Sequence, residues 1–278
     1  VTVAQAIEAA LALGLERPDA QWLLLHASDR TSSGRAWLLA HGDQPLAPTV
    51  LAAFGAATRR RLDGEPLAYI TGHNTFYGLK LQVDARVLDP RADTETLVDW
   101  ALEVMDAQAT HTKKQRLIDL GTGSGAIALA LKHSRPQWEV HALDRSTDAL
   151  AVARENAQRL GLELHLHQGN WLHGMAHDFA LIVANPPYIA ENDSHLTRLR
   201  HEPLQALASG RQGLDDLQAI VAQAPQHLLP GGWLLLEHGY DQADAVGQLL
   251  RGAGFVHVQS RRDLPGILRC SGGQRPSH

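Results

Sequence analysis

Arg116-Leu117-Ile118-Asp119-Leu120-Gly121-Thr122-Gly123-Ser124-Gly125-Ala126 is the stretch around which the rest of the chain can be organised. Residues 116–120 read as a strand. The glycines then allow a tight turn and close backbone approach, and a helix beginning near Ala126 offers free N–H groups at its amino end. One strand–helix–strand step later, Glu139 to Leu143 reads as a second short strand ending at Asp144. An acidic residue at that strand end is placed to bind two ribose hydroxyls. Gly121, Gly123 and Ala126 also satisfy the G-x-G-x-x-A form of a dinucleotide fingerprint, so a nicotinamide enzyme is a competitor at this point.

A second motif narrows the chemistry. Phe179-Ala180-Leu181-Ile182-Val183-Ala184 is apolar without alternation, the pattern of a strand buried on both faces of a parallel sheet. Asn185-Pro186-Pro187-Tyr188 follows directly. Neither proline can donate to a ladder and the first restricts its predecessor, so the strand stops there. Ligands of open α/β sheets bind just beyond the carboxyl ends of strands. The Asn185 carbonyl and a main-chain carbonyl fixed by the prolines can accept both N–H bonds of an amino or amide group, while Tyr188 lies against its π-face. That arrangement turns a weakly nucleophilic nitrogen lone pair toward an electrophile. A strand-ending turn with a capping Asn is the plainer alternative.

With both motifs present, the sequence resembles the Rossmann-like methyltransferases that carry an (Asn/Asp/Ser)-Pro-Pro-(Tyr/Phe/Trp) motif. Within them it is similar to the bacterial release-factor glutamine methyltransferases over nearly its whole length. The resemblance rests on Gly64 to Gly72, Phe76-Tyr77-Gly78, Pro90-Arg91-Ala92-Asp93-Thr94-Glu95, the segments from Asp119 and Asn185, His201 to Leu207, and Gly231 to Gln242. The Gly-Glu-Pro and Pro-Arg-x-Asp-Thr-Glu elements are more specific than the glycine loop, because the wider superfamily lacks them. The resemblance implies S-adenosylmethionine rather than NAD, and a seven-stranded, mostly parallel sheet with one antiparallel edge strand. It also implies that Asn170-Trp171 lies beside the adenine. Relatives usually carry an acidic residue where Asn170 stands, Pro at Ala92 and an apolar residue at Asp89. Trp171 can contact the base or simply pack in the core.

At 278 residues the chain is long for one domain and comfortable for two. Hydrophobic content of 44% with 20% charged residues fits a globular core. A net charge of −5 gives no bulk attraction to nucleic acid. Arg59-Arg60-Arg61 reads as a helix carboxyl end complementing its dipole. The single cysteine, Cys270, excludes a disulfide framework and points to a reducing compartment. No secretory leader pattern and no run of about 18 apolar residues is present, so a cytoplasmic, non-membrane protein is expected.

The amino-terminal third reads as helical, starting with a Thr2/Gln5 capping box, a second helix opened by Pro18, a third near Arg35 to Ala40 and a fourth from Pro48 to Leu62. Ala68 to Thr71 and the alternating Leu79, Leu81 and Val83 read as a β-hairpin. The expected organisation is α/β: helical residues 1–66 for substrate recognition, a hairpin linker over 67–88, and a Rossmann-like methyltransferase domain over 89–278. Beyond Leu88 the pattern alternates helices and strands. Asp93 or Thr94 is expected to cap a helix with an apolar stripe from Leu97 to Met105. Ser146 is expected to cap another, ended by Gly161. Leu162, Leu164 and Leu166 read as the third strand.

Sixteen histidines invite a metal site. His165 and His167 share a strand face, and His173 and His177 are four apart. They lack cysteines or a carboxylate cluster with ligand spacing, so none is expected. The resulting expectation is S-adenosylmethionine-dependent methylation of the glutamine side-chain amide in the Gly-Gly-Gln loop of a peptide chain release factor. Asn185, Pro186 and Tyr188 would be catalytic, and Asn185, Pro186, Pro187 and Tyr188 would contact the substrate. Gly121, Thr122, Gly123, Ser124, Gly125, Asp144, Trp171 and Asn185 would hold the cofactor. Methylation of a ribosomal-protein glutamine, methylation of a DNA or RNA amino group, and a non-catalytic binding module are the rival readings.

Overall fold

The computed structural model describes residues 1–108, 115–176 and 178–277. His177 lies outside them. The chain divides into two compact units, Val1–His73 and Asn74–His278.

The first unit is helical: α1 (Val3–Ala12), α2 (Arg17–Ala27), α3 (Gly34–Ala40), α4 (Pro48–Leu62) and α5 (Leu67–Thr71). The capping box forms, with Gln5 N donating to Thr2 Oγ1 (3.3 Å) and Thr2 N to Gln5 Oε1 (3.0 Å). Pro18 sits in the first turn of α2, where its missing N–H costs nothing. Leu23, Leu24, Phe54 and Ile70 fill the core of this unit. Arg59 to Arg61 occupy the last turn of α4. Arg60 and Arg61 also reach Glu65 and Asp19, at 2.7 and 2.6 Å.

The reading of Ala68–Thr71 as a hairpin strand is corrected here. Those residues form α5, whose Ala68, Tyr69 and Ile70 are buried. The hairpin consists instead of β1 (His73–Phe76) and β2 (Leu79–Gln82), joined by Tyr77 and Gly78. Both turn residues have positive φ, as a two-residue hairpin turn that matches strand twist requires.

The second unit is built on a seven-stranded sheet: β3 (Arg116–Leu120), β4 (Glu139–Asp144), β5 (His165–Gln168), β6 (Phe179–Ala184), β7 (Leu228–Glu237), β8 (Val256–Arg262) and β9 (Leu268–Gln274). Its order is β5-β4-β3-β6-β7-β9-β8. The expected antiparallel edge strand is corrected in position: β9 is antiparallel to both β7 and β8, and β8 takes the edge. The third strand starts at His165 rather than Leu162. Leu162 N is spent on Ala157 O, closing the carboxyl end of the helix before it. Leu162, Leu164 and Leu166 still pack on the same core.

Helices α6 (Glu95–Ala107), α7 (Ala126–Ser134), α8 (Thr147–Leu160), α9 (Asp215–His227) and α10 (Ala243–Gly252) accompany the sheet. One face buries Leu117, Val183 and Trp100, the other Ile118, Ile182 and Leu234. All six residues of β6 are buried, which accounts for their unbroken apolar run. Ser146 caps α8, accepting from Ala149 N, and Gly161 ends it at φ 65°. Neither Asp93 nor Thr94 caps α6 through its side chain, contrary to expectation. A 3-10 turn, Ala92–Thr94, leads into that helix instead.

Candidate active site

The sheet order reverses at β3, which has β4 on one side and β6 on the other. A crevice opens beyond the carboxyl ends of strands at such a point. A cleft of about 650 Å³ lies there, and Gly121, Gly123, Asp144, Trp171, Asn185 and Pro187 all line it.

The glycine loop is shaped by backbone bonds. Gly121 N and Thr122 N both donate to Leu143 O, at 2.8 and 2.9 Å, which ties the loop to the end of β4. Gly121 has φ 71°, and a Cβ there would sit 3.4 Å from the Trp171 ring. At Gly125, φ 83°, a Cβ would press to 3.1 Å from Leu129 and 3.3 Å from Ala153. Glycine is therefore required at both positions. Thr122 and Ser124 are buried and are not among the residues that line the cleft. The Thr122 hydroxyl donates to Asp119 Oδ2 (2.7 Å), and Ser124 O accepts from Asn156 Nδ2 (2.9 Å). Asp119 also receives Ala128 N from α7, at 3.3 Å. Burial, against these two hydrogen bonds, raises its carboxyl to about 7.

Asp144 is fixed before any ligand arrives. Its Oδ2 accepts from Gly123 N and its Oδ1 from Ser146 N, each at 2.9 Å. An ionised carboxylate has about four acceptor positions, so two bonds leave capacity for a pair of vicinal hydroxyls. Trp171, at φ 50°, donates its ring N–H to Asp216 Oδ1 (3.1 Å) while the outer carbons of its benzo ring lie next to Gly121. That pairing fixes the indole plane, and Asn170 stands beside it in the same lining. A glycine floor, a carboxylate at one end and an indole at the other fit the ribose and base of a nucleoside cofactor.

On the opposite side Asn185 is half-buried and Pro186 and Pro187 are buried. Asn185 Nδ2 donates to Thr94 Oγ1 at 3.2 Å. With the amide nitrogen so engaged, Oδ1 is the atom left to accept from a ligand. Tyr188 packs on the apolar core and donates its hydroxyl to Glu237 Oε1 at 3.3 Å. Burial pushes the Tyr188 phenol well above its usual range, so it stays a donor. Its main-chain carbonyl accepts from Gln242 Nε2 (3.0 Å). Gly213 lies so close that any Cβ would fall 2.1 Å from that carbonyl oxygen.

Sequence reasoning missed several wall residues: Arg86, Val87 and Leu88 as one group, and Pro203, Gln205 and Ala206 as a second. The only signal for the second group was the His201–Leu207 element. Arg91, Asp93 and Glu95 are absorbed elsewhere. Arg91 pairs with buried Glu202, Asp93 with Arg269 (3.4 Å), and Glu95 accepts from Tyr77 N (2.9 Å). His141 lies between His167 Nε2 (2.8 Å) and Glu139 Oε1 (2.9 Å) at the sheet flank. Among the described residues no group of three His, Cys, Asp or Glu is arranged to hold a metal ion. Nor is any described helix long and apolar enough to cross a membrane.

Comparison with known proteins bears on the fold and the family. Residues 94–212 match the model of the methyltransferase small domain, and residues 3–72 match that of the PrmC N-terminal domain. The catalytic domain of hMettl16, solved in complex with the MAT2A 3'UTR hairpin 6, shares the fold with a TM-score of 0.58 at 17% identity. The match covers 83% of this chain and 82% of that one. The release factor glutamine methyltransferase of Escherichia coli (strain K12) is 43% identical over 89% of this chain and 88% of its own length. That of Xylella fastidiosa (strain Temecula1) is 48% identical over 98% of both chains. With likeness of that degree over its full extent, the chain is a methyltransferase and belongs to the family of release factor glutamine methyltransferases.

Proposed function

We propose that the protein methylates the side-chain amide nitrogen of the glutamine in the Gly-Gly-Gln motif of peptide chain release factors, with S-adenosylmethionine as methyl donor. One observation carries the reading: Asn185 and Pro187 of the tetrapeptide line the same cleft as Gly121, Gly123 and Asp144. The family's named relatives supply the acceptor.

When bound, the cofactor supplies a methyl group on a positively charged sulfur, open to in-line displacement. In this reading Gly121 to Gly125 carry its backbone-facing side, Asp144 takes the ribose hydroxyls and Trp171 flanks the base. Asn185 Oδ1 and the Pro186 carbonyl accept the two N–H bonds of the substrate amide, and Tyr188 supports its plane with Pro187. Holding nitrogen and carbon in near-attack contact removes much of the entropic barrier. No strong base has to ionise the amide, because its proton becomes acidic only as the N–C bond forms and then passes to solvent.

The same reading gives residues 1–66 the task of gripping the protein substrate, with 67–88 as linker and 89–278 as the catalytic domain. Incubation with labelled cofactor and purified release factor, followed by peptide mass mapping, tests the proposal. A single methyl on the Gly-Gly-Gln glutamine is expected. Transfer only to ribosomal protein or to nucleic acid in parallel reactions would overturn it.

A further inference from the structure

Two of the segments that line the cleft belong to no strand and no α-helix. Arg86, Val87 and Leu88 lie in irregular chain between β2 and the 3-10 turn at Ala92, and Pro203, Gln205 and Ala206 lie at the 3-10 turn Leu204–Ala206. Segments without a ladder or a helix take their position from the bonds made beside them. For these two segments such bonds converge on Glu202, which directly precedes the second.

Glu202 is 7% exposed and does not itself line the cleft. Both of its carboxyl oxygens are engaged by residues that follow the first segment. Oε2 accepts from Asp89 N at 3.3 Å, and Oε1 accepts from Arg91 Nη2. Those residues are anchored in turn. Asn74 Nδ2, on β1, donates to Asp89 Oδ1 at 2.6 Å and to Pro90 O at 3.0 Å. The far end of the second segment is held at Leu207, whose carbonyl accepts from Ile189 N at 2.9 Å. Between the two ends, Gln205 O accepts from Arg145 Nη2 at 2.9 Å, an exposed bond for which water competes. The guanidinium–carboxylate pair is the strong member of this set, and removing one partner leaves the other uncompensated at a buried position.

We infer that Glu202 is a positioning residue for the cofactor: by clasping Asp89 and Arg91 it ties two segments of the cleft wall together and sets how fast S-adenosylmethionine and its demethylated product leave. This rests on the proposed seating of the cofactor in the cleft. Neither Glu202 nor Arg91 lines that cleft, so the clasp acts on retention and leaves the methyl-transfer step alone.

The test preloads full-length enzyme with radiolabelled S-adenosylmethionine, chases with excess unlabelled cofactor and follows the loss of bound label. Wild type is compared with Glu202→Gln, Arg91→Met, Arg91→Lys and the double variant of the first two. Glu202→Gln keeps the shape and an acceptor for Asp89 N but removes the charge that holds Arg91. Arg91→Met keeps the apolar stem and removes the guanidinium. Each should speed dissociation roughly tenfold, and the double variant should be no faster than the faster single one, because the clasp is broken only once. Arg91→Lys, which keeps the charge without the planar fork, should recover part of the retention. Single-turnover methyl transfer to release factor from saturating cofactor should stay within about twofold of wild type, which a general packing defect would not permit. If Glu202→Gln does not fold, the two Arg91 variants still decide, since that side chain is 40% exposed. Wild-type dissociation in the single variants would overturn the clasp alone, and so would effects that multiply in the double variant. A wild-type enzyme that binds no label would overturn the seating of the cofactor on which the clasp depends.

Discussion

The two sides of the cleft hold polar atoms in place by different means. On the glycine-loop side the fixing groups are main-chain amides. Gly123 N meets Asp144 across 21 residues, Ser146 N meets it across two, and Gly121 N and Thr122 N bond Leu143 O. On the tetrapeptide side the fixing groups are side chains far apart in sequence. Asn185 reaches Thr94 across 91 residues and Tyr188 reaches Glu237 across 49. A backbone amide always donates, so the first arrangement has one polarity. Side-chain amides and hydroxyls can reverse theirs, so the second takes its direction from the partners each group meets. The difference assigns separate consequences to damage: loss of affinity on one side, loss of orientation on the other.

The largest break should come at Asn185. Asn185→Ala is expected to lower turnover by roughly a hundredfold or more while calorimetry shows near-normal S-adenosylmethionine binding. Next comes Asp144→Ala, which removes charge-assisted hydrogen bonds and frees Gly123 and Ser146. Cofactor binding should weaken by roughly 1.5–3 kcal/mol, about ten- to 150-fold, measurable by the same titration. Tyr188 gives a smaller and graded effect. From the sequence only the ring is expected to matter, but the hydroxyl has a buried acceptor in Glu237. Tyr188→Phe should therefore cost roughly fivefold in kcat, the worth of one hydrogen bond, and Tyr188→Ala clearly more.

The smallest effect is on stability. Burial holds the carboxyls of Asp119 and Glu237 at about 7, from ordinary values of 3.8 and 4.5. A folded-state value above the unfolded one means that the folded protein keeps the proton longer. The stabilisation is complete below about pH 4 and is lost as pH rises through about 7. His141, which burial lowers to about 4 from 6.5, acts the other way, but its contribution is already complete above pH 6.5. Tm should therefore decline between about pH 6.5 and 8, one small step for each side of the cleft. Asp119→Asn, which cannot ionise, should flatten the decline in a calorimetric scan; an unchanged slope would remove Asp119 as its source.

The same contrast explains what could be read in advance. The loop at Gly121, the acid at Asp144 and the buried strand before Asn185 announce themselves through local pattern, and they meet in one cleft. Thr94 was legible as part of the Pro90–Glu95 element and as a helix cap, because a hydroxyl before a helix usually serves that end. Its actual partner, Asn185, directly follows β6, and no local spacing encodes that. Glu237 lies in the Gly231–Gln242 element, but an acid at a strand end does not by itself announce its partner. Ala68–Thr71 misled for a related reason. A short apolar segment with Tyr, Ile and Thr favours a strand by propensity, yet the burial of Ala68, Tyr69 and Ile70 in a helical unit decides its conformation.

Single-turnover methylation of release factor by enzyme pre-saturated with S-adenosylmethionine tests the division of labour most directly, with Asp144→Ala and Asn185→Ala run side by side. Saturation should restore Asp144→Ala to within a fewfold of the wild-type rate, since its defect is affinity. Asn185→Ala should remain roughly a hundredfold slow at any cofactor concentration. Recovery of Asn185→Ala on saturation, with Asp144→Ala still slow, would contradict the account.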